Sequence, residues 1–251
     1  MAMSTNKFSA YDRILSFLDM GSVEIIYNES VVAAKGKVNG RSVYAYAQDY
    51  SNNAGAMTED MAEKICDVMD MSLRDMVPLI GINESAGAHI QEGVRSLAGF
   101  GKIFRKNMTA SGVVPQISAI FGPCAGGAVY SPALTDFTVM VKDASYMFIT
   151  GPGVVETVTG ETVTKEELGG ASVHATRSGV AHFDAENELE ALQTVRLLLG
   201  YLPSNNLEQA PCRHTYDPFD RRDDSLNTIV PENPKKPYDI YKVIESVDIF
   251  G

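Results

Sequence analysis

Two stretches of the chain set small residues against the end of an apolar run: "FGPCAGGAVY" at 121–130 and "NESAGAHIQEG" at 83–93. The small-residue centre of each offers no acid, base or metal ligand, apart from the thiol of Cys124 in the first and the imidazole of His89 at the edge of the second. What such a stretch can present chemically is its own main chain. Small side chains let a ligand approach the backbone closely, and N–H groups left free ahead of a helix favour negative charge. The competing reading is a tight strand-to-helix turn in which glycine serves the backbone angles alone. Two such junctions in adjacent strand–helix units weigh against a mere turn without excluding it, because ligands of open α/β sheets bind beyond the carboxyl ends of the strands.

The side chains that usually carry catalysis are weakly represented. His89, His174, His182 and His214 lack metal-ligand spacing and read as structural or surface residues. Cys124 reads as a small buried thiol in preference to a nucleophile. Glu156 and Glu161 in "GPGVVETVTGE" are the acid–base candidates, with solvated helix acids as the plainer reading. No GK[ST] follows either junction, and neither a dinucleotide-binding glycine fingerprint nor a G-x-S-x-G elbow occurs.

The elements that must position these junctions follow from periodicity. "YDRILSFLDM" predicts a short amphipathic helix with Ile14, Leu15, Leu18 and Met20 as its apolar set. "VEIIYNES", "VVAAKGKV" and "RSVYAYAQ" read as strands, the last two joined by an Asn39-Gly40 hairpin turn. Thr58 caps a helix whose apolar face runs Met61, Ile65, Val68, Met69 and Met76. Buried strands are expected at 77–83 and 114–121, with a helix over 89–111 between them and a short helix with Pro132 inside it after the second. "FTVMV" and "YMFIT" are further strands, Thr164 and Glu167 form a capping box closed by Gly169, and 186–203 is an amphipathic helix ended by Gly200 and Pro203. Strands alternating with helices imply a mainly parallel α/β core. From Ser204 the composition turns to Pro, Asn, Asp and charge, which predicts an irregular extension with one short helix near "DIYKVIES".

Bulk composition narrows the function further. Hydrophobic residues at 45% and charged residues at 21% describe an ordinary folded protein. A formal net charge of −11 argues against nucleic acid, which needs a clustered basic surface, while local backbone dipoles still allow small anions. Cys66, Cys124 and Cys212 are far apart without a CxxC spacing, so neither a disulfide framework nor a zinc ribbon is expected, and a reducing cytoplasm fits. "MAMSTNKFSAYDRILSFL" is too polar for a signal peptide, and no apolar run is long enough to span a bilayer.

Long specific stretches then resemble a known family. "ASGVVPQISAIFGPCAGGAVYSPALTDFTVMVKDASYMFITGP", "VTKEELGGASVHATRSGVAH" and "LLLGYLPSNN" are similar to the biotin-dependent acyl-CoA carboxyltransferases, namely the propionyl-CoA carboxylase β subunit and the carboxyltransferase subunits of methylmalonyl-CoA and glutaconyl-CoA decarboxylases. The resemblance runs from about Tyr11 to the tail "TIVPENPKKPYDIYKVIESV". It implies a crotonase-like ββα superhelix and only the acyl-CoA-binding N-terminal half of the family's two domains. Residues 1–203 would form that domain and 204–251 a linker toward a biotin-binding C-terminal domain, either on a separate chain or cut away from this one. It also implies a biotin carrier protein as partner, trimers stacked into hexamers, acyl-CoA as substrate and no metal.

By the same resemblance the N–H groups of Gly126 and Gly127 form an oxyanion hole. Ser85, Ala86, Gly87, Ala88 and His89 bind the acyl-CoA, with Gly122, Cys124, Ala125, Ala128 and Tyr130 around the second junction. The chain departs from the family pattern at Glu84, where Asp is typical, and at His89, where Arg is typical. It also lacks the usual F-G-G-S in "YAQDYSNNAGAMTED" and has a shorter leading segment. Two other functions stay open at this level: a crotonase-type enoyl-CoA hydratase or isomerase using Glu156 or Glu161, and a non-catalytic acyl-CoA-binding subunit.

Overall fold

The computed structural model describes residues 8–212, 216 and 218–247; His214 lies outside them. The chain forms two units, 1–211 and 212–251. In the first, helix α1 (Ala10–Phe17) leads into the antiparallel strands β1 (Glu24–Asn28), β2 (Val31–Val38) and β3 (Arg41–Gln48). Asn39 at φ 52° and Gly40 at φ 80° close the β2–β3 hairpin as the sequence predicts, since a two-residue turn of this kind needs positive φ at both positions.

From β3 the pairing becomes parallel. Strands β4 (Leu79–Ser85), β5 (Gln116–Ala125) and β6 (Phe137–Val141) follow in order, and β7 (Tyr146–Phe148) and β8 (Phe183–Ala185) pair with β5 and β6 respectively. The crossovers are α2 (Glu59–Asp75), α3 (Val94–Ala110) and the short α4 (Tyr130–Ala133). Beyond β7 come α5 (Pro152–Thr159), α6 (Lys165–Gly169), α7 (Ala171–Val173) and, after β8, α8 (Glu188–Leu199). The expected mainly parallel α/β core is therefore present.

Apolar side chains cover both faces of this sheet. On one side Ile14 and Phe17 of α1 and Leu192 and Val195 of α8 pack on Ile80, Ile82, Ile117 and Phe121. On the other, Met61, Ile65 and Met69 of α2 and Phe100 and Ile103 of α3 pack on Tyr44 and Tyr46. Each large side chain buried in this way contributes about 1.5–3 kcal/mol. The caps hold as read: Thr58 accepts from the Met61 N–H, and Thr164 and Glu167 bond reciprocally.

Several local expectations are corrected. Met20 is fully exposed and Leu15 largely so, leaving Ile14, Phe17 and Leu18 as the buried stripe of α1 and the turn after it. Met76 is the left-handed C-cap of α2, at φ 56°, not part of its apolar face. The helix expected over 89–111 is broken: a 3-10 turn at Ile90–Glu92 ends at Gly93, and α3 starts only at Val94. β5 does not stop at Phe121 but runs on to Ala125. Strand β8 has three residues, too few to show a period. In the second unit α9 (Leu226–Ile229) was likewise too short to foresee, whereas α10 (Ile240–Val247) lies where one short helix was expected. Among the described residues no helix is long and apolar enough to cross a membrane.

Candidate functional site

The two junctions lie side by side at the carboxyl ends of β4 and β5. Ser85 pairs with Cys124, and the Ala125 carbonyl oxygen is 3.0 Å from where a Cβ on Gly87 would stand. They arrive there through an irregularity in β5. Asn83 pairs with Ile120 but Ser85 pairs with Cys124, so β5 carries two more residues than β4 over that step. Extra residues of this kind bend a strand and raise its twist. Accordingly β5 lies beside β6 from Ile117 to Ile120, and beside β7 from Pro123 to Ala125.

β5 then passes into a 3-10 turn, Gly126–Val129. The first N–H groups of such a turn have no acceptor within it. Neither the Gly126 nor the Gly127 N–H donates to any acceptor among the described residues. The two glycines are glycine for different reasons. Gly126 has φ +59°, and a Cβ placed on it would meet nothing nearer than the Ile149 oxygen at 3.9 Å. Gly127 has no such angle, but its Cβ would stand 2.8 Å from Cδ2 of Phe100.

The first junction is tied down by its own amides. The Ala86 N–H donates to the Ala54 oxygen (3.0 Å) and the Gly87 N–H to Ser85 Oγ (3.1 Å). The His89 N–H is shared between the Met57 oxygen (2.9 Å) and Ser96 Oγ (3.0 Å), and the Ser96 hydroxyl donates onward to that same Met57 oxygen (2.7 Å). This loop therefore offers a fixed shape, and the second loop offers the donors. Ser96, fully buried, and Phe100 are the residues of α3 that sequence reading missed. Their only signal is a helical face pointing at the two loops.

The remaining predicted residues fall in distinct places. Ala86 is exposed, Ala88, His89 and Ala125 are half-buried, and Tyr130 is 45% exposed with its ring edge-on to Phe104 at 5.7 Å. Ser85, Gly122, Cys124 and Ala128 are buried. Burial pushes the Cys124 thiol up to about 12, so it stays protonated. Gly122 faces the carboxylate of Glu84, which is fully buried and paired with Arg13 of α1 at 2.9 Å.

The histidines are spread out. Nδ1 of His89 is buried and has no hydrogen-bond partner among the described residues. His174 bonds the Met147 oxygen through Nε2 (2.7 Å) and Ser178 Oγ through Nδ1 (2.8 Å), and Nδ1 of His182 accepts from the Thr138 N–H (3.1 Å). Glu156 and Glu161 are exposed. No three His, Cys, Asp or Glu side chains converge as metal ligands among the described residues.

Beside the second loop lies a cavity of about 430 Å³ lined by Tyr130, Phe148, Ile149, Leu168, Val180 and neighbouring apolar groups. Its one imidazole, His174, has both nitrogens engaged in the bonds above. Chemically the site thus combines two amides without an acceptor among the described residues and a small-residue loop fixed by hydrogen bonds, with an apolar hollow that begins at Val129 and Tyr130. It suits an anionic oxygen attached to an apolar group.

Comparison with known proteins gives the family of the chain. A family model described as the carboxyl transferase domain matches residues 2–248. The carboxyltransferase subunit of propionyl-CoA carboxylase from Haloferax mediterranei is 58% identical over 219 residues, covering 87% of this chain and 42% of that protein. The methylmalonyl-CoA decarboxylase subunit alpha of Veillonella parvula is 56% identical over 216 residues, covering 86% of this chain and 42% of that protein. The crystal structure of transcarboxylase 12S, a hexamer with hydrolysed methylmalonyl-coenzyme A bound, superposes with a TM-score of 0.89 at 40% identity, covering 96% of this chain and 51% of that one. The chain spans about half, or less, of the length of these relatives.

Proposed function

The chain belongs to the carboxyl transferase domain family, with its crotonase-like fold, and on that premise we propose that it is the acyl-CoA-binding half of a biotin-dependent carboxyltransferase. The observation that carries this reading is the pair of consecutive free N–H groups at Gly126 and Gly127, held at the end of β5. When bound, the biotin of a separate carrier would supply the carboxyl group and take up the α-proton of the acyl group, or in the reverse direction would accept the carboxyl group and return that proton. This chain's own part is then electrostatic. Its two amides hold the oxygen that becomes negative as the α-carbon turns nucleophilic, and preorganised donors of this type are worth about 3–4 kcal/mol each. The loop Ser85–His89 supports the thioester with its fixed shape, and Ala125 and Tyr130 border it. Gly122, Cys124 and Ala128 act from beneath by setting the backbone.

The residues fit the group expected there. A side chain is disfavoured at Gly126 by its backbone angle and at Gly127 by Phe100, which suits a site where the main chain itself meets the ligand. Transfer would also need the half of the relatives' length that this chain does not match, a biotin carrier, and self-association, which the hexameric transcarboxylase 12S supports. Cys66 and Cys124 are buried free thiols, which supports a cytoplasmic setting.

Replacing the amide of Gly126, and separately that of Gly127, by an ester removes one N–H and little else. In the reconstituted enzyme each replacement lowers the carboxyl-transfer kcat about 10²–10³-fold with little change in KM for the acyl-CoA. Wild-type kcat in both esters would show that these amides are not the oxyanion donors.

A further inference from the structure

The bulge that re-aims β5 is pinned by a buried ion cluster from three distant parts of the chain. Nη1 of Arg13, on α1, meets Glu84 of β4 at 2.9 Å, while its Nε and Nη2 meet the two carboxylate oxygens of Glu188, at the start of α8, at 2.9 and 2.6 Å. The Arg13 and Glu84 side chains are 2% and 1% exposed, and that of Glu188 14%. The guanidinium also lies 5.2 Å from the ring centre of Phe121, the residue that opens the bulge. Across the strand pair, Oε1 of Glu84 occupies the space that a Cβ on Gly122 would need. The carboxylate is thus wedged into the bulge and held from behind by a fork-shaped cation with a second acid on its other side.

We infer that Arg13, Glu84 and Glu188 form a positioning device, which fixes the bulge at Gly122 and so aims the Gly126 and Gly127 N–H groups at the reacting oxygen. The inference rests on the carboxyl-transfer reading above. The physical ground is that β5 leaves β6 at Ile120 and takes up β7 at Pro123, so the direction in which it delivers Gly126 is set by the three residues, Phe121 to Pro123, that stand opposite Glu84. Arg13 and Glu84 are buried, and none of the three charged groups lines the apolar hollow beside the second loop. They act through the backbone, and oxyanion donors are sensitive to displacements of about 1 Å.

Gly122→Ala sets a methyl group against the Glu84 carboxylate, and Glu84→Ala removes the wedge. Two readouts are needed. In the reconstituted carboxyltransferase, Gly122→Ala lowers kcat about 10²-fold while KM for the acyl-CoA stays within about twofold, because the amides are realigned and the binding loop is not. In the Glu84→Ala background the same substitution costs no more than about threefold, since nothing remains for the methyl to displace. In the chain itself, labelled with ¹⁵N-glycine, the Gly126 and Gly127 amide resonances move in Gly122→Ala but not when Gly122→Ala is added to Glu84→Ala. A merely structural cluster lowers the melting temperature and leaves kcat per folded molecule and both resonances unchanged, which overturns the inference. So does simple multiplication of the two single-variant losses. If the resonances move as stated and the wild-type assembly transfers no carboxyl group, the device stands and the assignment of the reaction falls.

Discussion

The adjacent glycines at the end of β5 make opposite demands, and one substitution separates them. Gly127→Ala places a methyl carbon 2.8 Å from Cδ2 and 2.9 Å from Cε2 of Phe100, where ordinary contact begins at 3.4 Å. The ring has to retreat by about 0.6 Å, yet it is 3% exposed and stacked on Phe104 at 6.0 Å, so there is little room behind it. Overpacking of this order costs about 1–3 kcal/mol. For a chain of this size each kcal/mol corresponds to about 2–4 °C in Tm. Gly126→Ala meets no atom closer than 3.9 Å, and its cost of about 1–2 kcal/mol comes from the left-handed angle alone. Phe100→Ala discriminates between the two. It opens a cavity and is itself destabilising, by about 3–5 kcal/mol. In that background Gly127→Ala becomes neutral or mildly stabilising as the methyl enters vacated space, whereas Gly126→Ala keeps its full cost. Thermal unfolding of the single and double variants beside the parent gives the coupling directly. Equal destabilisation by Gly127→Ala with and without the Phe100 ring would refute the packing account of this glycine.

Two further outcomes follow from buried or paired groups. With its thiol pushed up to about 12 by burial, Cys124 carries far less thiolate than an ordinary cysteine at neutral pH. Iodoacetamide should therefore modify the exposed Cys212 well before Cys124 in the native protein, as read by mass spectrometry; comparable rates would contradict the burial. Asp75 accepts hydrogen bonds from Lys35 (2.9 Å), Tyr44 (2.7 Å) and Arg74 (3.0 Å), with Lys35 the main cause of a pKa well below the ordinary 3.8. A depressed folded-state pKa gives stability that is present above the ordinary carboxylate value and is lost as the pH falls below it. Asp75→Asn is thus expected to lower stability by about 1 kcal/mol at pH 7, after discounting for solvent screening of this half-exposed group of charges, with the gap to the parent closing below about pH 3. A gap that persists unchanged at low pH would count against the ionic origin.

What is legible in this sequence is what a few neighbouring residues decide. Asn39 and Gly40 fix their turn because both tolerate positive φ, and Thr164 with Glu167 fixes a helix start within four residues. The extension of β5 past Phe121 is of another kind. Gly122 and Pro123 locally favour a turn, and they stay extended because Tyr146–Phe148, more than twenty residues later, supplies a new edge to pair with. The break at Gly93 is hidden for a related reason. Residues 89–92 are committed to Met57 and to the start of α2, where Glu92 accepts from the Glu59 N–H at 2.7 Å, and α3 can begin only after that obligation.

The site divides along the same line. A run of small residues announces that backbone is exposed or closely approached, and it does so without saying which. In this chain Gly126 answers to an angle, Gly127 to an aromatic ring, and Gly122 to a carboxylate on the neighbouring strand. Arg13 carries no signal in sequence, because its partners are 71 and 175 residues away and a charged residue on a short amphipathic helix reads as solvated. Once Glu84 is seen to be buried against Arg13, its departure from the Asp that the family resemblance leads one to expect changes meaning. The longer side chain carries the carboxylate to the space beside Gly122, so the exchange alters a strut beneath the site and not a group that meets the ligand. His89 is the opposite case: its backbone is fixed by Met57 and Ser96, while its imidazole, in the loop proposed to hold the thioester, keeps a buried nitrogen without a partner among the described residues. Of the two departures, the one at 84 therefore belongs to the scaffold, and the one at 89 is where a change in ligand preference would enter.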